Sequence, residues 1–124
     1  MRHTIMFLLA ALLASPAPAA TSQDRLAALL ARREPDPPRR CIFPDRAVQP
    51  QIIAGTGIVY RDARYVYVGR FKGGCPALRE GRTIITRSLG GQLCENDPVR
   101  VVESTGADFG FCTFENFTPY RKVK

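Results

Sequence analysis

The sequence predicts a small all-β domain, an antiparallel barrel or curled sheet of five or six strands, preceded by a short N-terminal helix and a proline-rich linker. Three observations predict it. Between Cys41 and Phe117, short runs rich in Val, Ile, Tyr, Phe and Thr are separated by Gly, Pro, Asn and Asp, the punctuation of strands and tight turns. No run in that span keeps helical spacing long enough for a long helix. The 124 residues include four cysteines, which suits a single domain whose core is small enough to need covalent staples.

The organisation follows from the amino end. Met1-Arg2-His3 is a short positive start, residues 5–14 are apolar, and Ala17-Pro18-Ala19 then supplies the small residues that a signal peptidase reads. Residues 1–19 are expected to be a signal peptide cut after Ala19. Its apolar run is about ten residues, short of the ~20 that span a bilayer. The remaining chain is expected to be soluble and periplasmic or secreted. Residues 21–33 read as an amphipathic helix, with Thr21 or Ser22 as cap and Leu26, Leu29, Leu30 and Arg33 at helical spacing. Three prolines within residues 35–38 then make an extended linker. The sequence thus divides into a leader (1–19), a helix and linker (20–40) and a disulfide-stapled β domain (41–124).

Within that domain residues 51–54 form a weak strand, and residues 57–60 and 65–71 a hairpin across Arg61-Asp62-Ala63-Arg64. Residues 83–88 form the next strand, closed by Leu89-Gly90-Gly91. Residues 99–103 follow the turn Glu95-Asn96-Asp97-Pro98, and residues 109–117 end the sheet. Along the second hairpin strand Tyr65, Tyr67, Gly69 and Phe71 share one uncharged face, the core candidate. Val66 and Val68 share the other with Arg64 and Arg70. That face, extended by Lys72, reads as a basic surface stripe of Arg64, Arg70 and Lys72, with Arg61 and Arg87 as neighbours, and is the expected partner-binding site. A stacking platform of Tyr60, Tyr65 and Tyr67 is the lesser alternative, since aromatics at strand spacing are usually core.

An even number of cysteines in an exported chain reads as a disulfide framework. No Cys-x-x-Cys occurs, so the common redox, haem-attachment and zinc-ribbon spacings are missing. Three pairings are open to Cys41, Cys75, Cys94 and Cys112. Cys75 and Cys94 each lie near a Gly-Gly pair and bracket the 83–88 strand, whereas Cys41 opens the domain and Cys112 lies in its last strand. The expected bonds are therefore Cys75 with Cys94 and Cys41 with Cys112. After Cys75, residues 76–81 run from Pro76 to Gly81 in the pattern of one helical turn.

Cys41-Ile42, Tyr65-Val66-Tyr67-Val68, Gly74-Cys75-Pro76-Ala77-Leu78, Gly91-Gln92-Leu93-Cys94, Asp97-Pro98-Val99-Arg100-Val101 and Cys112 occur in an order and spacing that resembles a family of small exported proteobacterial proteins of unknown function. Some members of that family look like lipoproteins, and this chain departs from them in lacking an acylated Cys after the apolar run. The resemblance covers about residues 41–117. It implies an exported location and two disulfides, and no activity.

The one histidine, His3, lies in the leader. Without it the domain has no Ser-His or Cys-His couple and no His-ligated zinc or haem site. An enzyme would depend on paired carboxylates, for which Glu80, Glu95, Asp97, Glu103, Asp108 and Glu115 qualify by residue type alone. No catalytic residue, cofactor or metal is expected. The formal charge is +7, and arginine is the fork-shaped donor for phosphate and carboxylate. Export and the lack of a nucleic-acid motif argue against nucleic acid. The expectation is a non-enzymatic envelope module that meets an anionic envelope component or an acidic protein, with peripheral membrane contact in keeping with it. The alternatives are an inhibitor of an extracellular enzyme and a carboxylate-dependent hydrolase.

Overall fold

The computed structural model describes residues 12–16 and 18–124. The expected leader, residues 1–19, falls largely outside the described residues, and Leu12 and Leu13 at its end are 97% and 94% exposed. The elements in chain order are α1 (Ser22–Leu29), β1 (Arg33–Pro35), β2 (Cys41–Ile42), β3 (Gln51–Ile53), β4 (Gly57–Arg61), β5 (Tyr65–Phe71), β6 (Thr83–Thr86), β7 (Leu93–Cys94), β8 (Pro98–Val102) and β9 (Asp108–Lys122). Six strands in the order β3-β4-β5-β9-β8-β6 make a curled antiparallel half-barrel, as the alternating pattern predicts. β1 adds to the free side of β9, while β2 and β7 form a separate two-stranded ladder.

β9 makes the curl. Its first part pairs with β8 from Asp108 to Thr113, and its second part pairs with β5 from Phe114 to Arg121. One fifteen-residue strand thus passes from one half of the sheet to the other. Register shifts at Arg70/Phe71 and at Arg100/Val102 bend its partners to follow, the usual effect of an extra residue on one side of a ladder. Close backbone approach fixes the β4–β5 pair: a Cβ on Gly57 would stand 2.0 Å from the Gly69 carbonyl oxygen, so no larger residue fits there.

The inner side of the curl holds the main core. Ile42, Ile58, Tyr60, Tyr67, Phe71, Leu78, Leu93, Val99, Val101, Phe114 and Phe117 pack there. Phe71 stacks on Phe114 at 4.6 Å between centroids, and Phe114 meets Phe117 at 4.7 Å. The aromatic face of β5 is therefore core, as its lack of charge predicts. Its other face is core as well. Val66 and Val68 are 1% and 0% exposed, packed with Ile53, Val59 and Leu26, with Leu29 and Leu30 at the margin. The apolar part of the expected stripe is therefore buried, with Leu26 of α1 packed on the same cluster as the two valines, while Arg64, Arg70 and Lys72 remain exposed.

α1 is shorter than the expected 21–33 and is set by a capping box, in which the Thr21 hydroxyl accepts from the Asp24 N–H and Asp24 accepts from the Thr21 N–H. Gln23 donates to Thr56 at 2.7 Å, and Arg25 pairs with Glu80. The proline-rich segment is extended, but it is not a free linker. β1 pairs with β9, the Asp36 N–H donates to Pro119 O at 2.8 Å, and Arg39 exchanges both backbone bonds with Phe117. Residues 22–40 therefore belong to the same packed unit as the strands that follow. Residues 76–81 form turns rather than a helical turn.

The disulfides are Cys41–Cys94 and Cys75–Cys112, not the expected Cys41–Cys112 and Cys75–Cys94. The reason lies in pairing. Cys41 and Cys94 face each other directly across the β2–β7 ladder. Cys112, opposite Val99 on β9, turns to the inner side, where the loop after β5 brings Cys75. The Gly-Gly turns steer the chain but do not bring Cys75 to Cys94.

Candidate functional site

The expected binding residues Arg64, Arg70 and Lys72 are all exposed, yet they frame no apolar surface, because Val66 and Val68 are buried under α1. The Lys72 ammonium donates to the Asn96 side-chain oxygen. Arg64 sits on the Asp62 turn, where Asp62 accepts from the backbone N–H groups of Arg64 and Tyr65, both at 2.8 Å. The Tyr67 hydroxyl donates to the same carboxylate at 2.5 Å. Burial acts to raise the Asp62 pKa, but these three hydrogen bonds and the Arg39 charge outweigh it and hold the carboxyl below its ordinary range. Burial, then the Asp62 hydrogen bond, pushes the Tyr67 hydroxyl above the ordinary tyrosine range. Arg39 covers the Tyr65 ring at 4.6 Å, and Tyr60 and Tyr67 are buried. The three tyrosines present no open stacking platform.

The carboxylates are dispersed, and all of the candidates but Glu115 are engaged. Glu80 meets Arg25, Glu95 meets Arg40, Glu103 meets Arg82 and Asp108 meets Arg100. Asp97 accepts from the Cys94 N–H at 2.7 Å, and Glu115 points outward from β9. Among the described residues no three His, Cys, Asp or Glu side chains group as metal ligands would.

The surface that does combine charge with apolar area is the outer face of the β6–β8–β9 half. Cross-strand pairing puts Ile85, Arg100 and Phe111 side by side across three strands. The alternation along β8 explains it: Val99 and Val101 are buried inward, and Pro98 and Arg100 stand outward. Together with Arg87 these residues line a groove of about 460 Å³. Ile85 is 48% and Phe111 61% exposed, and Leu89, in the loop after β6, is almost wholly so. The Arg100 guanidinium lies over the Phe111 ring at 4.6 Å and is 3.4 Å from Asp108. Arg82 covers the Phe109 ring at 3.6 Å. Arg87 makes no ion pair among the described residues. Sequence reasoning included Arg87 only as a neighbour and missed the others. The signal was present in Pro98-Val99-Arg100-Val101 and Phe111-Cys112, because an inward Cys112 places Phe111 outward.

No family model, curated protein or solved structure matches the chain. The two disulfides are those of a protein that folds in an oxidising environment. No helix of the described residues is long and apolar enough to cross a membrane.

Proposed function

We propose that the protein is an exported envelope module, periplasmic or secreted, that binds an anionic membrane surface through the outer face of β6, β8 and β9. The leader-like start and the two disulfides support the compartment. The resemblance to small exported proteins of unknown function agrees with it and adds no activity. The observation that carries the reading is the groove that Ile85, Pro98 and Phe111 line together with Arg87 and Arg100. Guanidinium groups match phosphate oxygens in a bidentate way, and an exposed Phe beside them has apolar area to lose on entering a headgroup layer. A non-enzymatic role is part of the reading, because the carboxylates are dispersed among separate arginines and loops.

Cosedimentation with vesicles tests it. Phosphatidylglycerol vesicles are expected to bind the protein and phosphatidylcholine vesicles are not. Binding should weaken steeply with salt, as the Debye length falls from ~10 Å at 0.1 M to ~3 Å at 1 M. Arg87→Gln with Phe111→Ser should abolish it, and Arg64→Glu with Arg70→Glu should leave most of it. Failure to bind phosphatidylglycerol, or binding indifferent to the Arg87 and Phe111 changes, overturns the reading. Binding instead to an acidic protein through the same residues would overturn the lipid assignment.

A further inference from the structure

One end of the molecule is built from two loops that hold apolar side chains outward. Residues 87–92 join β6 to β7, and residues 43–50 join β2 to β3. In the first loop the Gln92 N–H donates to Leu89 O at 3.4 Å around Gly90 and Gly91, whose φ angles are +67° and +82°. Left-handed φ at both central positions makes this a tight turn of the kind that glycine adopts freely. Leu89 opens the turn and is 96% exposed, whereas Leu93, just after it, is buried in the main core.

The β2–β7 ladder brings the second loop beside the first. Cys41 pairs with Cys94 and Ile42 with Leu93, so Phe43, the next residue, comes level with Gln92 at the base of the turn. Phe43 is 63% exposed. Further along the same loop the Arg46 guanidinium lies against Gly91, where a Cβ would stand 2.6 Å from its Nη2. The Cys41–Cys94 disulfide ties the ladder that carries both loops. They form one tip, and neither Leu89 nor Phe43 belongs to either core cluster. Single exposed apolar residues are ordinary, but two on adjoining loops beside a basic groove make a contact surface.

We infer that this tip is the part of the protein that enters the bilayer, with Leu89 and Phe43 in the apolar region just below the headgroups of an anionic membrane. The inference rests on the membrane reading of the groove and adds to it the direction of approach and an anchor. Arg87 links the two. It lines the groove, stands two residues before Leu89 and makes no ion pair among the described residues, so a lipid phosphate that it holds sits beside the leucine. Asp45 is turned to its own loop, where its carboxylate accepts from the Ala47 N–H at 2.8 Å. With Arg46 next to it, the 43–50 loop carries no net charge. The tip therefore contributes apolar area, and the groove contributes the charge. Two side chains are too few to hold a protein on a neutral bilayer, since even one whole acyl chain gives only marginal, reversible binding.

The chain has no tryptophan, so a single introduced one reports on its own surroundings. With phosphatidylglycerol vesicles, Leu89→Trp and Phe43→Trp are each expected to show a blue-shifted emission that lipids brominated on the acyl chain quench. Thr105→Trp, in the turn after β8 and so at the far end of that strand from the tip, should show neither. Leu89→Ser with Phe43→Ser should weaken cosedimentation with those vesicles by about tenfold or more, the worth of two apolar side chains left in water. Its salt dependence should stay that of the parent, because no charge is removed. A parent protein that does not bind phosphatidylglycerol vesicles overturns the membrane reading and this inference with it. A parent that binds while both tip reporters stay unshifted and unquenched, or while the double serine variant binds equally well, overturns the inference alone. The tryptophan reporters keep the tip apolar, so they decide the matter even if the serine variant folds poorly.

Discussion

The outward side chains of the β3–β4–β5 half and those of the β6–β8–β9 half have opposite fates. Ile53, Val59, Val66 and Val68 are at most 2% exposed, while Ile85 and Phe111, in equivalent outward positions, are 48% and 61% exposed. Both sets are apolar, and both have arginines beside them. The difference is α1, which brings Leu26 onto the first set and nothing onto the second. Outward apolar residues on a sheet become core or contact surface according to what the rest of the chain lays over them. The bare half is thus the one that the proposed membrane contact would cover.

The largest expected effect breaks the link between the halves. Cys75–Cys112 joins the loop after β5 to the part of β9 that pairs with β8, and closes 37 residues of chain. Replacing both cysteines with Ser should cost about 4 kcal/mol by the chain-entropy estimate, read as a fall in the urea midpoint. A loss much below that would mean that the halves hold together without it.

Uncovering the covered half should come next. Leu26→Ala removes the one buried side chain of α1 and should cost about 2–3 kcal/mol. The same unfolding experiment on Phe111→Ser should show a change within about 0.5 kcal/mol. Equal losses would erase the distinction between the two faces.

The pH dependence should also belong to the covered half. Asp62 has a depressed pKa in the folded state, so its contribution is present above the unfolded value of about 4 and is lost as pH falls through the folded value. Tyr67 has a raised one, so its contribution is present below about pH 10 and is lost as pH rises through the folded value. Asp62→Asn should flatten the acid limb of a stability profile measured by urea unfolding, and in a tyrosinate absorbance titration it should lower the pH at which Tyr67 ionises. The smallest effect is expected of Arg64→Glu with Arg70→Glu, whose side chains reach solvent and should change stability by no more than about 0.5 kcal/mol. A larger loss would mean that these arginines help to seat α1.

Much of this was legible in the residues. Period-two alternation with Gly and Pro punctuation located the longer strands β4, β5, β6, β8 and β9. Ladders of two or three residues, such as β2 with β7, carry no periodicity and had no local signature. Tyr67, Gly69 and Phe71 announced a core face by their lack of charge. Val66 and Val68 misled, because Arg64 and Arg70 flank them and local pattern cannot show a lid supplied from forty residues away. Two unmatched apolar sets stood in the sequence, those valines and Leu26, Leu29 and Leu30, and each was the other's missing partner. The proline-rich segment was read correctly as extended but not as paired, since an edge ladder tolerates proline where a central one does not. The outer-face groove was hidden for a related reason: Ile85, Arg100 and Phe111 are far apart in sequence, and only the β6–β8–β9 register makes them neighbours.

The two disulfides interlock along the chain, each bond having one cysteine inside the loop that the other closes. A chain that enters an oxidising compartment amino end first presents Cys41 and Cys75 to an oxidant before Cys94 and Cys112 arrive. First come, first joined would give Cys41 with Cys75, a bond the finished fold does not contain. Reaching the native pair then requires attack by a later thiolate on that early bond, an exchange that takes seconds to hours according to the oxidant and isomerase at hand. On the proposed export, maturation of this small protein is therefore expected to depend on a disulfide-reshuffling catalyst, and a host strain that only oxidises thiols should accumulate it in the wrong isomer.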